Sequence, residues 1–342
     1  MRRTNLTSVP LAMTEPATQE RTQKPRSVTQ VRAEFRNQVI SGLREKPRRL
    51  SSVYFYDDEG SDLFDQITRL PEYYLTRVER EILETHASAI AALVGDEPSC
   101  VVDLGAGSGD KTQVVLSRMR ERQHEVRYAP VDVSAAALWS AEQSMQQRLP
   151  GLRVDPVHDD YIRGLSRVRA AQVGRRLLVL WLGSSIGNFN DADAVDMLRG
   201  LSEVCSPEDV LLVGFDLLKE PDALVAAYAD SQGVTAEFNY NLLRRINREL
   251  GADFDVEQYV HHATFSPSES RMESYLISKR SQTVTIGGQR FELDAWEPIH
   301  TEVSCKYSMR RIDDLLSAAG LERVAIFTDD ERRFADVACR RS

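Results

Sequence analysis

The stretch Asp103-Leu104-Gly105-Ala106-Gly107-Ser108-Gly109 sets three glycines between a short apolar run and a helical pattern. Glycine permits positive φ and lets another backbone or a ligand approach closely. Such a loop suits a nucleotide-like cofactor. Alone it does not separate one cofactor from another, because NAD- and FAD-binding folds carry similar loops. Three acids narrow the choice. Asp103 closes the strand before the loop and suits the cationic amine of a methionine moiety. Asp132, in Val131-Asp132-Val133, ends the next strand and suits two hydrogen bonds to ribose hydroxyls. Asp160, in Asp159-Asp160-Tyr161, ends the third strand, where it can accept from an adenine amino group while Tyr161 packs on the ring. Acids at the carboxyl ends of successive strands lie where open α/β sheets bind ligands. With Lys111 at the start of the following helix, the expected cofactor set is Asp103, Gly105, Gly107, Lys111, Asp132, Asp160 and Tyr161. The expected cofactor is S-adenosylmethionine (SAM).

The surrounding pattern supplies the scaffold. Short apolar runs at Cys100–Leu104, Val126–Val133, Val154–His158, Arg176–Trp181 and Asp209–Asp216 predict strands. Helical periodicity lies between several of them, over Lys111–Arg120, Ala135–Arg148 and Ala192–Cys205. That alternation predicts a doubly wound α/β fold, a parallel sheet covered on both faces. Earlier in the chain, Phe35–Leu43 reads as a short helix and Tyr54–Gly60 as a strand end and turn. Gly60–Leu70 reads as a helix, and Thr76 as the cap of the next one. After residue 217 the rhythm breaks. Helical stretches at Asp222–Asp230 and Val234–Leu250 precede strands at Arg271–Ile277, Gln282–Ile286 and Gln289–Leu293, with Gly287-Gly288 as a hairpin turn. A helix over Met309–Ala319 and strands at Arg323–Phe327 and Phe334–Cys339 close the chain. The division expected is a tail over 1–30, a smaller α+β substrate domain over 31–78 and 218–306, and a Rossmann-like SAM-binding domain over 79–217 and 307–342.

Composition excludes several classes. The 342 residues are 42% hydrophobic and 28% charged, ordinary for a globular protein, and the formal net charge of −9 opposes phosphate-backbone binding. Cys100, Cys205, Cys305 and Cys339 are widely spaced, so neither a zinc site nor a disulfide framework is expected. His261-His262 resembles a metal pair only superficially, since neighbours on a strand face opposite ways. No apolar run reaches the ~18 residues a membrane span needs. Met1-Arg2-Arg3 is not followed by the apolar region of a signal peptide. The expectations are a cytoplasmic monomer with no metal, no nucleic acid and no membrane partner.

Longer motifs resemble one family. Tyr54-Phe55-Tyr56-Asp57-Asp58-Glu59-Gly60-Ser61, Leu70-Pro71-Glu72-Tyr73-Tyr74, Leu182-Gly183-Ser184-Ser185-Ile186-Gly187-Asn188, Gly233-Val234-Thr235-Ala236-Glu237-Phe238-Asn239 and Thr301-Glu302-Val303-Ser304-Cys305-Lys306 are similar to those of the L-histidine Nα-methyltransferases of ergothioneine biosynthesis. The similarity runs from about residue 50 to the C-terminus. It implies methyl transfer from SAM to the α-amine of a free amino acid, with histidine trimethylated to hercynine. It further implies that Tyr73, Asn188 and Tyr228 hold the substrate carboxylate, and that Asn188 and the Gly183 backbone position the amine. Tyr56 and Phe64 would line the site, Thr235 would support the contacts, and Glu302 and Ser304 would bind the imidazole. Tyr56 and Asn188 are the residues it implies closest to the chemistry.

The sequence departs from the family at Ser274. In Arg271-Met272-Glu273-Ser274-Tyr275-Leu276 the histidine enzymes carry Met at the place of Ser274, near the substrate ring. Met272 lies two positions earlier, on the same strand face but displaced by ~6–7 Å. A roomier or more polar pocket would admit another aromatic amino acid, such as tryptophan or tyrosine. The retained Glu302 and Ser304 favour imidazole. Two other classes remain as contrasts: a dinucleotide-dependent oxidoreductase, and a SAM-binding protein without catalysis.

Overall fold

A computed structural model describes residues 28–342. Its main sheet has eight strands. Across the sheet the order is Leu321–Thr328, Phe334–Arg341, Val210–Asp216, Arg176–Trp181, Ser99–Leu104, Val126–Asp132 and Arg153–Val154, with Val157–His158 also paired to Val126–Asp132. The strands from Val210–Asp216 to Arg153–Val154 run parallel, and the last two in sequence close the sheet antiparallel. The chain starts in the middle at Ser99–Leu104, builds outward on one side, then crosses to build the other. The switch point therefore lies between Ser99–Leu104 and Arg176–Trp181, which pair in parallel from Ser99↔Arg176 to Asp103↔Leu180. Alternation drives both faces inward. Val101 joins one apolar cluster, while Cys100, Val102 and Leu104 join the other. This is the doubly wound α/β fold expected, and its two-sided burial explains why these strands read as unbroken apolar runs.

A second, four-stranded sheet orders Arg48–Arg49, Pro298–Cys305, Arg271–Ser278 and Tyr259–Ser266. Its first strand is early in the chain and pairs in parallel with the late one, Arg48 opposite Ile299. The early segment and the region after 217 thus share one sheet. The hairpin Gln282–Ile286 with Gln289–Leu293 turns on Gly287 and Gly288, both with positive φ.

Several local expectations need correction. Residues 1–27 of the expected tail lie outside the described residues, and 28–30 open the helix Val28–Arg44. Tyr54–Gly60 is no strand end. A 3-10 turn over Ser52–Phe55 leads into the helix Asp58–Ile67, capped by the Asp57 side chain on the Gly60 N–H. Gly60 is required there, because a Cβ would lie 1.8 Å from the Phe55 carbonyl oxygen. Asp57 also accepts from Asn241 at 2.7 Å. Asp57→Ala should therefore cost about 1–2 kcal/mol in urea melts, the upper range for a lost cap. Thr76 caps nothing: the helix is Leu75–Ala92 with Tyr74 before it. The third strand splits around Pro156, which has no N–H for a ladder. The helix Tyr161–Ala171 and the strands Tyr259–Ser266 and Pro298–Cys305 were not foreseen as elements.

Candidate active site at the sheet switch point

The glycine loop sits where the sheet reverses. Gly105, Gly107 and Gly109 all have positive φ. Two of them face crowding. A Cβ on Gly105 would lie 3.1 Å from the Tyr161 hydroxyl, and one on Gly109 3.0 Å from Met145 Cε. Gly107 has open space above it, so that is where a ligand can approach the backbone.

The acids take distinct positions. Asp103 is buried under the loop, and its Oδ2 accepts from Thr112 Oγ1 at 2.5 Å and Tyr128 Oη at 3.0 Å. Burial raises its carboxyl to about 6, against the pull of these two hydrogen bonds and of Lys111. Asp132 stands beside Gly107, half-buried, with Oδ1 accepting the Ser134 N–H at 2.8 Å. Its neighbour Val133 is 63% exposed, an apolar side chain beside a carboxylate that sequence reasoning missed. Asp160 caps the helix Tyr161–Ala171 through the Arg163 N–H. Tyr161 turns inward, edge-on to Trp181 with centroids 5.8 Å apart, and floors the loop beneath Gly105.

Lys111 joins this loop to the opposite strand end. It is paired with Glu79, whose Oε1 accepts the Gly183 N–H at 2.6 Å. Glu79 is fully buried on the helix Leu75–Ala92 and carried no signal of its role in sequence. Gly183 has φ +76, and the chain then makes the turn Ser185–Asn188. Gly187 packs that turn on the second sheet: a Cβ there would lie 3.1 Å from the Cys305 carbonyl oxygen and 3.4 Å from Ser304 Oγ. Asn188 emerges exposed at the end of the turn.

Opposite the loop, aromatic residues gather. Tyr56 meets Phe64 edge-on at 5.5 Å, and Phe64 meets Tyr73 at 6.1 Å. Phe238, named in a motif but given no role, touches Phe55, Tyr56 and Phe64 and is buried. The Tyr56 phenol is pushed well above its usual range by burial, then by Glu302, Tyr73, Tyr161 and Tyr228. Tyr73 and Tyr228 are raised in the same way, with Glu302 among the causes for each. These groups therefore lie within electrostatic reach of one another, and Tyr56 is 39% exposed. Thr235 is buried at the start of its helix and donates its N–H to Asp230 at 2.7 Å.

Glu302 and Ser304 lie on one strand, two residues apart, hence on one face. Ser274 is the cross-strand partner of Glu302, and Met272 that of Ser304. Burial raises the Glu302 carboxyl to about 7, opposed by Lys306 and by the Ser274 hydroxyl. Ser274 Oγ lies against the carboxyl without a hydrogen bond of ordinary geometry. Behind them runs a buried polar chain that sequence reasoning did not find. Lys306, fully buried, pairs with Asp216 at 2.7 Å and donates to Tyr228 Oη at 3.0 Å and Ser304 Oγ at 2.9 Å. Tyr228 donates to Ser304 at 2.6 Å. Asp216 also accepts from Tyr74 and Lys219.

A nucleotide-type loop near aromatic and carboxylate side chains can align two small molecules for group transfer. Residues 35–341 match the family of SAM-dependent, histidine-specific methyltransferases. The chain belongs to this family. It is 42% identical over 297 residues to the histidine N-alpha-methyltransferase of Mycolicibacterium smegmatis, covering 86% of this chain and 91% of that one. The match to the histidine N-alpha-methyltransferase of Mycobacterium tuberculosis is 41% over 302 residues, 88% of this chain and 92% of that one. A more distant relative, the 4-dimethylallyltryptophan N-methyltransferase of Aspergillus fumigatus, is 27% identical over 304 residues, 85% of this chain and 89% of that one. The family enzyme is a SAM-dependent amino-acid N-methyltransferase, which agrees with the cofactor read from the loop.

Among the described residues no group of three His, Cys, Asp or Glu side chains could hold a metal, and no helix is long and apolar enough to cross a membrane. The four cysteines are buried and unpaired. A surface cavity of about 490 Å³ lined by Asp155, Arg167 and Gln172 contains no candidate residue.

Proposed function

We propose that this chain methylates the α-amine of free L-histidine, three rounds giving hercynine for ergothioneine formation. The observation that carries the reading is that Glu302 and Ser304 share one strand face and that Glu302 lies within electrostatic reach of Tyr56, Tyr73 and Tyr228. The chain would divide its work between a SAM-binding unit, 79–217 with 307–342, and a substrate unit, 31–78 with 218–306. The shared sheet supports the second grouping.

SAM fits the loop. Gly107 leaves room for its close approach, Asp132 offers a carboxylate to ribose hydroxyls, and exposed Val133 offers an apolar face to adenine. Asp160 would accept from the adenine amino group, and Lys111 would face the methionine end with Gly105 and Asp103. When bound, SAM supplies an electrophilic methyl carbon on a sulfonium, and the protein mainly supplies alignment. Tyr73 and Asn188 would hold the substrate carboxylate, and Asn188 with the Gly183 backbone would aim the amine; Tyr228, expected at the carboxylate, gives its hydroxyl proton to Ser304 instead. Tyr56 keeps its proton, so it orients rather than accepts the amine's proton. Its ring and Phe64 suit a product that becomes permanently cationic. Methylation of all twenty amino acids, read by mass for each added methyl, tests the reading; no turnover of histidine would overturn it.

Ser274 favours a second reading, another aromatic amino acid. A buried hydroxyl faces Glu302 where the family has Met, and Met272 sits beside Ser304 instead. Ser274→Met should sharpen selection of histidine over tryptophan and tyrosine in competition assays. An equal loss on every amino acid would show that the position does not read the ring.

A further inference from the structure

The hydrogen bonds around Ser304 leave its hydroxyl a single role. A serine hydroxyl has one proton and two acceptor sites. Lys306 donates to Ser304 Oγ at 2.9 Å and Tyr228 donates to it at 2.6 Å. Both acceptor sites are then occupied, and the serine proton is what remains. The arrangement is locked from behind. The Lys306 ammonium has three protons, and its partners are Asp216, Tyr228 and Ser304. Lys306, Asp216, Tyr228 and Ser304 are all buried, and Gly187 closes on Ser304 from the adjoining turn.

We infer that Lys306, held by Asp216, is a positioning residue that makes Ser304 an obligate hydrogen-bond donor, so that the pocket recognises a neutral ring with one N–H and one bare nitrogen. The inference rests on the proposed reading that the substrate ring lies between Glu302 and Ser304. Glu302, when ionised, only accepts, so it takes the ring N–H. Ser304 only donates, so it needs the bare ring nitrogen. Two residues along a strand lie about 6.5–7 Å apart, a span that a five-membered ring with two nitrogens bridges with one hydrogen bond at each end. Neutral imidazole matches both ends. Indole offers a donor and no acceptor, and imidazolium presents a second N–H to a group that cannot accept it. A buried donor left unpaired is more costly than a missing contact, so the selection acts through rejection.

The test uses the full chain, saturating SAM, and three substrates: L-histidine and the two pyrrolylalanines, which keep one ring N–H and lack the bare nitrogen. In the unsubstituted protein kcat/KM for the pyrrolylalanines should fall roughly 10–100-fold below histidine, mostly through KM. Ser304→Ala should bring histidine down to the pyrrolylalanine level and abolish the discrimination. Lys306→Met should lower kcat/KM for histidine about tenfold or more with an unchanged dissociation constant for SAM, and adding Ser304→Ala to it should cost little further. Pyrrolylalanines turned over as fast as histidine would overturn the inference, as would Lys306→Met and Ser304→Ala effects that simply multiply. If Lys306→Met does not fold, the comparison of ring analogues in the unsubstituted protein and in Ser304→Ala decides alone. An unsubstituted protein that methylates no histidine overturns the proposed function and this inference together, whereas histidine turnover without discrimination overturns this inference only.

Discussion

Asp216→Ala should destabilise the protein by about 3–5 kcal/mol, the range for removing one partner of a buried ion pair. Asp216 is fully buried and faces two ammonium groups, Lys306 at 2.7 Å and Lys219. It also accepts the Tyr74 hydroxyl at 2.8 Å. Removing the carboxylate leaves a fully buried Lys306 without its direct ion-pair partner. The cost arises from that uncompensated charge rather than from the lost attraction. The second change therefore decides the mechanism. Lys306→Met added to Asp216→Ala should restore a large part of the loss, because the buried charge goes with it. The residual penalty belongs to Lys219, whose ammonium is pulled down by burial and supported by Asp216. Urea denaturation of the single, second single and double variants measures the cycle. Additive losses would mean that the two residues are not coupled.

This ion pair also shows where sequence reasoning stopped. The strand Val210–Asp216 was legible as an apolar run, and Lys306 ends the motif Thr301-Glu302-Val303-Ser304-Cys305-Lys306. Nothing in either segment says that they meet, because the bridge between Leu217 and Tyr307 joins chain regions about ninety residues apart. Glu79 was invisible for the same reason. It lies in an ordinary amphipathic helix, and its bond to the Gly183 N–H is a product of tertiary packing. By contrast, the loop Asp103–Gly109 was legible because its geometry is local: the positive φ angles demand glycine wherever the rest of the chain goes. The parallel sheet was legible because two-sided burial writes an unbroken apolar run. Short elements such as Ser52–Phe55 and the split strand around Pro156 were misread because local patterns of a few residues carry little period.

Asp103 and Tyr161 sharpen the same distinction. Both were read from positions at strand ends; Asp103 lies on its strand, whereas Tyr161 opens the helix that follows the third strand. Yet Asp103 spends Oδ2 on Thr112 and Tyr128, and Tyr161 spends its ring on Trp181. Position at the sheet edge places a side chain near a ligand. The neighbours decide which of its atoms remain available.

Glu302→Ala should lower kcat/KM for histidine by roughly 10–100-fold, equivalent to about 1–3 kcal/mol for a charge-assisted hydrogen bond left unmade. The pH dependence separates this from a packing effect. Burial holds the carboxyl near 7 in the free protein. Only the ionised form accepts the ring N–H with full strength. Use of histidine should therefore rise as pH passes upward through about 7. Glu302→Gln keeps an acceptor oxygen but cannot ionise, so it should retain more activity than the alanine variant and lose that inflection. The stability of the free protein moves the other way. A carboxyl raised above its unfolded value binds more protons when folded, so stability falls as pH climbs from the ordinary carboxylate range toward about 7. Removing Glu302 should thus make the substrate-free protein more stable at neutral pH while making it a poorer histidine enzyme. A residue that served only the fold would lose both together, and a pH profile unchanged by Glu302→Gln would remove Glu302 from the ring.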